Sequence, residues 1–327
     1  MEDAWPVGSL VSMGPVNLRL VGAVRSTQEE VWAKRRWLPE GAGFAAASQS
    51  EGEGRGGAAW ISPRGGVYFS VMAGHGLALK DADVLGQAAA LAVLRAAQEF
   101  LKAEDIFLKW PNDVVTWGPG RSIGKIAGVL VRLETAGERV ERAAVGIGIN
   151  VRAAVEGAAL PTKGAAAVSL EGLARRQGGE WTSPRTKVLE WVAGWFGAQL
   201  ARARDAPSAV RDEFAREVAR APLRARVAGV RDEFRPLGVE QGGALIVRRK
   251  SGKRATVSVE DSERLEWRIA PRKRTRGKPA RRSARKPAPK STSRACAPRV
   301  GRPQSSRARN ARPALRPTRK RKSARRR

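Results

Sequence analysis

Lys109, Asp113 and Lys125 are the residues of this chain whose types and spacing most plainly suit chemistry. Lys109-Trp110-Pro111-Asn112-Asp113 follows the apolar run Ile106-Phe107-Leu108, so it reads as a strand end entering a tight turn. Further on come Lys125-Ile126-Ala127-Gly128-Val129-Leu130-Val131 and then Gly146-Ile147-Gly148-Ile149-Asn150. These β-branched, glycine-containing blocks suit buried strands that a ligand approaches closely. Upstream, Gly52-Glu53-Gly54-Arg55-Gly56-Gly57 sets a guanidinium among glycines. Arginine forks onto phosphate or carboxylate oxygens, and lysine supplies a compact point charge. Glycine lets backbone N–H groups close on an anion. The chemistry on offer is the handling of anions in one pocket, with Arg55 and Lys125 as its catalytic candidates.

The elements that must position these groups follow from local patterning. Val16, Leu18 and Leu20 alternate with polar residues as in a strand. Ser26-Thr27 offers hydroxyl caps to a helix running toward Trp37, which Pro39 stops. A short strand at 43–47 feeds the loop 50–59, which is too glycine-rich to order itself without a partner. Val67 to Met72 reads as a strand, 81–102 as a long Ala/Leu-rich helix, and strands near 105–109, 125–133 and 141–151 complete a mixed sheet. Residues 181–204 place Val188, Trp191, Val192, Trp195 and Leu200 on one helical face, and 209–220 reads as a second helix. Short β runs at 225–230, 244–248 and 256–260 then predict a small antiparallel barrel of the Src-homology type. His75 between two glycines reads as a turn residue.

The net charge of +31 is unevenly spread. Residues 271–327 hold 24 of the 62 Lys/Arg and none of the 31 Asp/Glu, leaving +7 on the first 270 residues. That tail lacks aromatics and apolar periodicity, so it is expected to be disordered, either as a solvated extension without a specific ligand or as a sequence-indifferent electrostatic attachment to a polyanion. A single cysteine, Cys296, excludes an intramolecular disulfide, and with one histidine a Cys/His metal cage is not expected. The acidic, proline-broken N-terminus predicts neither a signal peptide nor a membrane span, hence a cytoplasmic protein.

In their order along roughly residues 16–170, the blocks resemble the biotin protein ligases (biotin–[acetyl-CoA-carboxylase] ligases). Trp60 with Ser62-Pro63 matches that family's Trp-x-Ser-Pro, and Lys109 to Asp113 matches its Lys-Trp-Pro-Asn-Asp without change. The resemblance implies an α/β (α+β) fold: a mixed sheet packed with helices, similar to class II aminoacyl-tRNA synthetases. It implies biotin and ATP as substrates, Mg²⁺, and a biotin carboxyl carrier protein of acetyl-CoA carboxylase or a related enzyme as partner. It places Ser26, Thr27, Gln28 and Gln49 on biotin. Glu53, Gly54 and Arg55 belong to the loop over biotin and adenylate, and Lys125 touches the biotin carboxylate and the acyl-phosphate linkage. The nucleotide falls to Arg55, Trp60, Asn112, Asp113, Lys125 and Asn150. Glu53 departs from the arginine most members carry, which implies a carboxylate turned away from phosphates or paired with Arg55.

Joining biotin's carboxylate to the α-phosphate of ATP brings two anions together against roughly 4 kcal/mol of repulsion at 4 Å and intermediate dielectric. The cations must cancel that cost, and a closed loop must shield the mixed anhydride from water. The organisation expected is a catalytic domain with its helical connection over 1–222, the barrel over 223–270 and the tail over 271–327. About 25 residues before Ser26 are too few for the N-terminal DNA-binding domain of some relatives. A homodimer is compatible with the sequence. The alternatives are a lipoate-type ligase, or a polyanion-binding protein with a vestigial ligase domain; the Lys-Trp-Pro-Asn-Asp block and the barrel favour biotin.

Overall fold

The first unit alternates strands with two helices that take opposite faces of one sheet. In the computed structural model, which describes residues 4–101, 105–118, 122–152, 165–229 and 232–270, these elements are β1 (Leu10–Met13), β2 (Val16–Val24), α1 (Thr27–Ala33), β3 (Ala42–Gln49), β4 (Val67–Ala73), α2 (Asp83–Leu101), β5 (Ile106–Lys109), β6 (Asp113–Trp117), β7 (Ile123–Ala136), β8 (Arg139–Ile149) and β9 (Ala165–Ala167). The strands order as β1-β2-β3-β4-β8-β7-β6-β5, with β9 lying parallel on β7. β2 and β3 are parallel, joined by α1, and the other pairs along the β1-to-β5 path are antiparallel, so the sheet is mixed as expected.

Strand alternation assigns the two faces. Val71, Ala73, Ala143, Val145 and Ile147 join the main core under α2, whereas Met72 and Ala144 pack with Val31 of α1. α2 is long and apolar enough by composition to cross a membrane, but 67% of that window is buried inside the fold. Against it lie α4 (Arg185–Asp205) and α5 (Pro207–Arg220), preceded by the short α3 (Leu170–Arg176). Phe100 stacks at tilted angles on Trp181 and Trp191, with centroids 5.6 and 5.2 Å away. The expectation for Trp195 is corrected: it is 38% exposed, and the buried stripe of α4 runs instead through Val188, Leu189, Val192, Ala193 and Phe196. α1 also ends earlier than expected, at Ala33, and the chain reaches Trp37 through turns.

The C-terminal strands are β10 (Leu223–Val227), β11 (Glu233–Val239), β12 (Leu245–Arg249), β13 (Arg254–Val257) and β14 (Leu265–Ile269). They order as β13-β12-β11-β10-β14, with a register shift in β11 at Pro236/Gly238 and a 3-10 turn, Glu260–Arg264, before the last strand. Sequence patterning overlooked β1, β6, β9, β11 and β14. β11 carries Pro236 and Gly238 inside it, and β14 is only five residues long. Residues 271–327, which contain the expected disordered tail and Cys296, lie outside the described residues.

Two contacts seat this small barrel on the larger sheet. Trp110 is 1% exposed, is joined to Pro111 by a cis peptide, and donates its indole N–H to the Gly243 carbonyl at 2.9 Å. Arg211 of α5 bridges Asp81 and Asp83 at the start of α2, each at 2.9 Å, and Gln241 also donates to Asp81. Trp110→Phe keeps most of the packing and loses one buried hydrogen bond, so it should cost about 1–2 kcal/mol. Trp110→Ala should cost about 3–5 kcal/mol through the cavity it leaves. Urea unfolding of the two variants checks both the order and the gap between them.

Candidate active site

β-Strand alternation leaves a strip of small residues on the α1 side of the central strands: Ser70 of β4, Gly128 of β7, and Gly146 and Gly148 of β8. They floor a cavity of about 1190 Å³. Its walls are the start of α1, the 53–60 loop, the 109–113 corner and the C-terminal segment 262–267. Gly148 is needed there for close approach. A Cβ at that position would stand 2.5 Å from the Trp60 indole nitrogen, so only a bare backbone lets the indole lie on the strand.

At one end, Gln49 organises α1. Its Oε1 accepts from the Thr27 backbone N–H at 2.7 Å and from the Thr27 hydroxyl at 3.0 Å, while its Nε2 donates to Ser62 at 2.8 Å. Thr27 and Ser70 hydroxyls meet at 2.9 Å. Ser26 caps α1 through Glu29 N–H, the role any serine in that position would take. Gln28 is buried and donates Nε2 to the Ala144 carbonyl, but its Oε1 is buried and has no partner among the described residues. The Trp60 indole N–H is likewise buried and unpaired. Such groups are costly in a folded protein and are best satisfied by a ligand or water that enters the cavity.

At the other end stands the Lys–Asp–Lys triad. Asp113 opens β6 and Lys109 closes β5, so the hairpin brings Lys109 Nζ to 2.6 Å from Asp113 Oδ2. A register shift in the β6–β7 pairing turns Lys125 toward the same carboxylate, with Nζ 2.8 Å from Oδ1. Burial alone pushes the Asp113 carboxyl upward, but the Lys109 and Lys125 ammoniums overcome it and hold the group down at about 2. Lys125 Nζ also lies 4.9 Å from the centroid of the Trp60 ring, a cation–π contact. Asn112 exchanges hydrogen bonds with Val129, its Nδ2 donating at 2.5 Å.

Eleven of the twelve nominated residues line the cavity: Ser26, Thr27, Gln28, Gln49, Glu53, Gly54, Arg55, Trp60, Asn112, Asp113 and Lys125. Asn150 does not. It sits behind the wall and donates Nδ2 to the Lys125 carbonyl at 3.0 Å, fixing the backbone that carries the lysine. Arg55 lines the cavity and is anchored to the C-terminal strands. Its guanidinium donates to Ser262 Oγ at 3.0 Å and to the Val259 carbonyl at 3.1 Å, clasping the glycine loop to the barrel. Beside it Gly56 has φ +61°, and a Cβ there would fall 2.1 Å from Glu263 Oε1. Among the described residues no ion pair joins Arg55 to Glu53. Ser70, Ser262, Glu263 and Trp267 line the cavity without having been singled out in the sequence. Ser262 hides in a charged run that reads as a turn, and Trp267 lies in the overlooked β14.

The implied Mg²⁺ finds no cage here. Among the described residues no three His, Cys, Asp or Glu side chains gather in ligating geometry, and both oxygens of Asp113 are held by lysines.

Comparison with known proteins decides the family. The model of the biotin/lipoate A/B protein ligase family matches residues 21–150. A biotin–[acetyl-CoA-carboxylase] ligase of Paracoccus denitrificans is 31% identical over 242 residues, covering 72% of this chain and 95% of that protein. The chain belongs to the biotin protein ligase family. Among solved structures, the Aquifex aeolicus biotin protein ligase in complex with biotin and ATP superposes with a TM-score of 0.55 at 23% identity, over 77% of this chain and 99% of that one. The Leishmania major biotin protein ligase in complex with biotin gives 0.51 at 23%, over 74% and 98%. At such identities these two likenesses carry the fold.

The depressed Asp113 carboxyl has a sign that can be tested. Its value lies below the ordinary 3.8, so its contribution is complete above pH 4 and is lost as pH falls toward 2. The amount is on the order of 2 kcal/mol. Unfolding midpoints in urea between pH 5 and pH 2 should fall less steeply in Asp113→Asn than in the parent, from a lower starting stability.

Proposed function

We propose that this biotin ligase makes biotinyl-5′-AMP from biotin and ATP, then transfers biotin to a lysine of a biotin carboxyl carrier protein. The observation that carries the reading is the position of Lys125. Its ammonium is fixed by Asp113 and Trp60 beside the Asn112 corner, in the same cavity as Thr27 and Gln49. A cation there meets a carboxylate arriving from one side and a phosphate from the other. The Paracoccus relative's name supports the carrier of acetyl-CoA carboxylase as acceptor. Both substrates and the carrier meet in the cytoplasm.

In the first step a biotin carboxylate oxygen attacks the α-phosphorus, and the bond to pyrophosphate breaks. Charge builds on the oxygens around phosphorus, and a preorganised ammonium lowers that barrier more than it stabilises the separated reactants. Asp113 keeps Lys125 in one place, so little reorganisation accompanies the reaction. The unpaired Gln28 Oε1 is an acceptor for an N–H of the ureido ring, and the Trp60 ring offers a face to a flat base. In the second step the neutral amine of the carrier lysine attacks the acyl carbon. The bond to AMP breaks, and the amine releases its proton. Until then the clasped loop keeps water from the anhydride.

Lys125→Ala should lower biotin-dependent ATP–pyrophosphate exchange by at least two orders of magnitude, with the protein still folded by circular dichroism. Exchange within tenfold of the parent would remove Lys125 from the chemistry. Arg55→Gly severs both bonds to the barrel and should release adenylate, seen as biotin spreading onto a bystander protein such as serum albumin. Ser262→Ala, which removes one bond and leaves Arg55, should fall between the parent and Arg55→Gly. A Ser262→Ala enzyme as tight as the parent would mean that the clasp does not hold the loop.

A further inference from the structure

The small barrel carries a row of arginines that neither its folding nor the ligase cavity explains. Arg254 stands opposite Arg248 across β13 and β12, Arg248 opposite Arg235 across β12 and β11, and Arg224 opposite Arg268 across β10 and β14. Between β10 and β11 the register pairs Ala225 with Phe234, so one step along Arg224 faces Arg235. Every strand of the sheet thus contributes one arginine to a single line. Residues directly opposite in a ladder point to the same face. The other face is the buried one, bearing Leu223, Ala225, Phe234 and Val247. Arg235, Arg248, Arg254 and Arg268 are exposed and Arg224 is half-buried.

Like charges placed directly across strands are destabilising, so this row works against the sheet that holds it. The Arg224 guanidinium is lowered in pKa by burial, then by Arg235 and by Arg268, which places the repulsion at the centre of the line. The two acids on this face are already engaged: Glu233 pairs with Arg268 and Glu266 with Arg226. Arg235, Arg248 and Arg254 have no hydrogen-bond or ion-pair partner among the described residues. Exposed Lys250 and Lys253 extend the positive field at the β12–β13 turn.

We propose that this outer face binds the sugar-phosphate backbone of a nucleic acid. With strands roughly 4.8 Å apart, five arginines make a line of about 19 Å. A duplex presents one negative charge per roughly 1.7 Å of its axis, so it can meet every member of such a line. A patch of carboxylates on a folded protein would have to match five positions individually. No aromatic side chain shares the face; Trp267 pairs with Ala225 on the other side. Without a stacking platform the contacts fall on phosphates and are indifferent to base sequence. The sequence beyond Ala270 points to the same kind of partner, for it adds 24 Lys/Arg and no acid.

The test uses the full-length protein and fluorescence polarisation with a labelled DNA duplex of arbitrary sequence, titrated at salt concentrations from roughly 50 to 200 mM, where each phosphate contact contributes about 0.9 to the slope. Arg235→Gln/Arg248→Gln/Arg254→Gln should reduce the slope of log affinity against log salt by about 2–3. Arg36→Gln/Lys80→Gln/Arg176→Gln removes the same charge from exposed sites on the catalytic domain and should reduce it by less than about 1. The single Arg248→Gln reads the same effect at about one unit, should the triple variant lose stability. Coincident curves for the two triple variants would overturn the proposal, leaving net charge alone as the cause. Unchanged DNA binding with slower transfer to an acidic carrier would also overturn it, by giving the face to the carrier.

Discussion

The carboxylate of Asp113 lies between two ammonium groups, and the geometry of the site depends on that contact. A buried carboxylate is costly unless paired, and two half-buried lysines converging on one point would repel each other without it. Each charge therefore needs the other two. The triad forms only if β5 turns directly into β6 and the β6–β7 register slips between Val114 and Val115. Asn150 supports the same arrangement from behind by holding the Lys125 carbonyl. The strand pairing of the sheet thus fixes one cation to within a rotamer, which is the precision that electrostatic stabilisation of a developing charge demands.

The second organising feature is the way the C-terminal barrel completes the cavity. Its Gly243 carbonyl receives the Trp110 indole, from the same five-residue corner that supplies Lys109 and Asp113. Its Ser262 and Val259 receive Arg55 from the glycine loop. The loop precedes β4 and the corner follows β5, so the barrel reads the position of two segments separated by a strand and the long α2. A loop rich in glycine gains little from its own contacts and is held by what it touches. The clasp therefore sets the free energy of opening the loop over the cavity.

Much of this was legible in the sequence, for physical reasons that differ by region. The cavity floor was readable because β-branched residues and glycines alternate there, and that pattern has few explanations besides a buried strand that something approaches. The Lys-Trp-Pro-Asn-Asp corner was readable as chemistry but not as architecture. Nothing local shows that Trp110 faces a carbonyl more than a hundred residues away. Arg55 reads as an anion's partner because a guanidinium among glycines suits one, but its hydroxyl and carbonyl partners on the barrel lie some two hundred residues away and leave no local trace. Trp195 was placed in the core because its spacing fits an amphipathic stripe, but the true stripe is rotated toward Leu189 and Phe196. Long-range partners, not propensities, decided each difference.

The arginine row belongs to the same class of feature. In sequence Arg224, Arg235, Arg248, Arg254 and Arg268 are scattered through a stretch that reads only as basic, and each strand separately looks like an ordinary amphipathic run. The antiparallel register alone brings them into line, and a shift of one residue in any strand would send its arginine to the buried face. A sheet that tolerates this arrangement pays in cross-strand repulsion, although its buried face of Leu223, Ala225, Phe234 and Val247 would fold equally well beneath alternating charges. Folding therefore gives no reason for five like charges in one line, whereas an evenly charged polymer lying across the strands does.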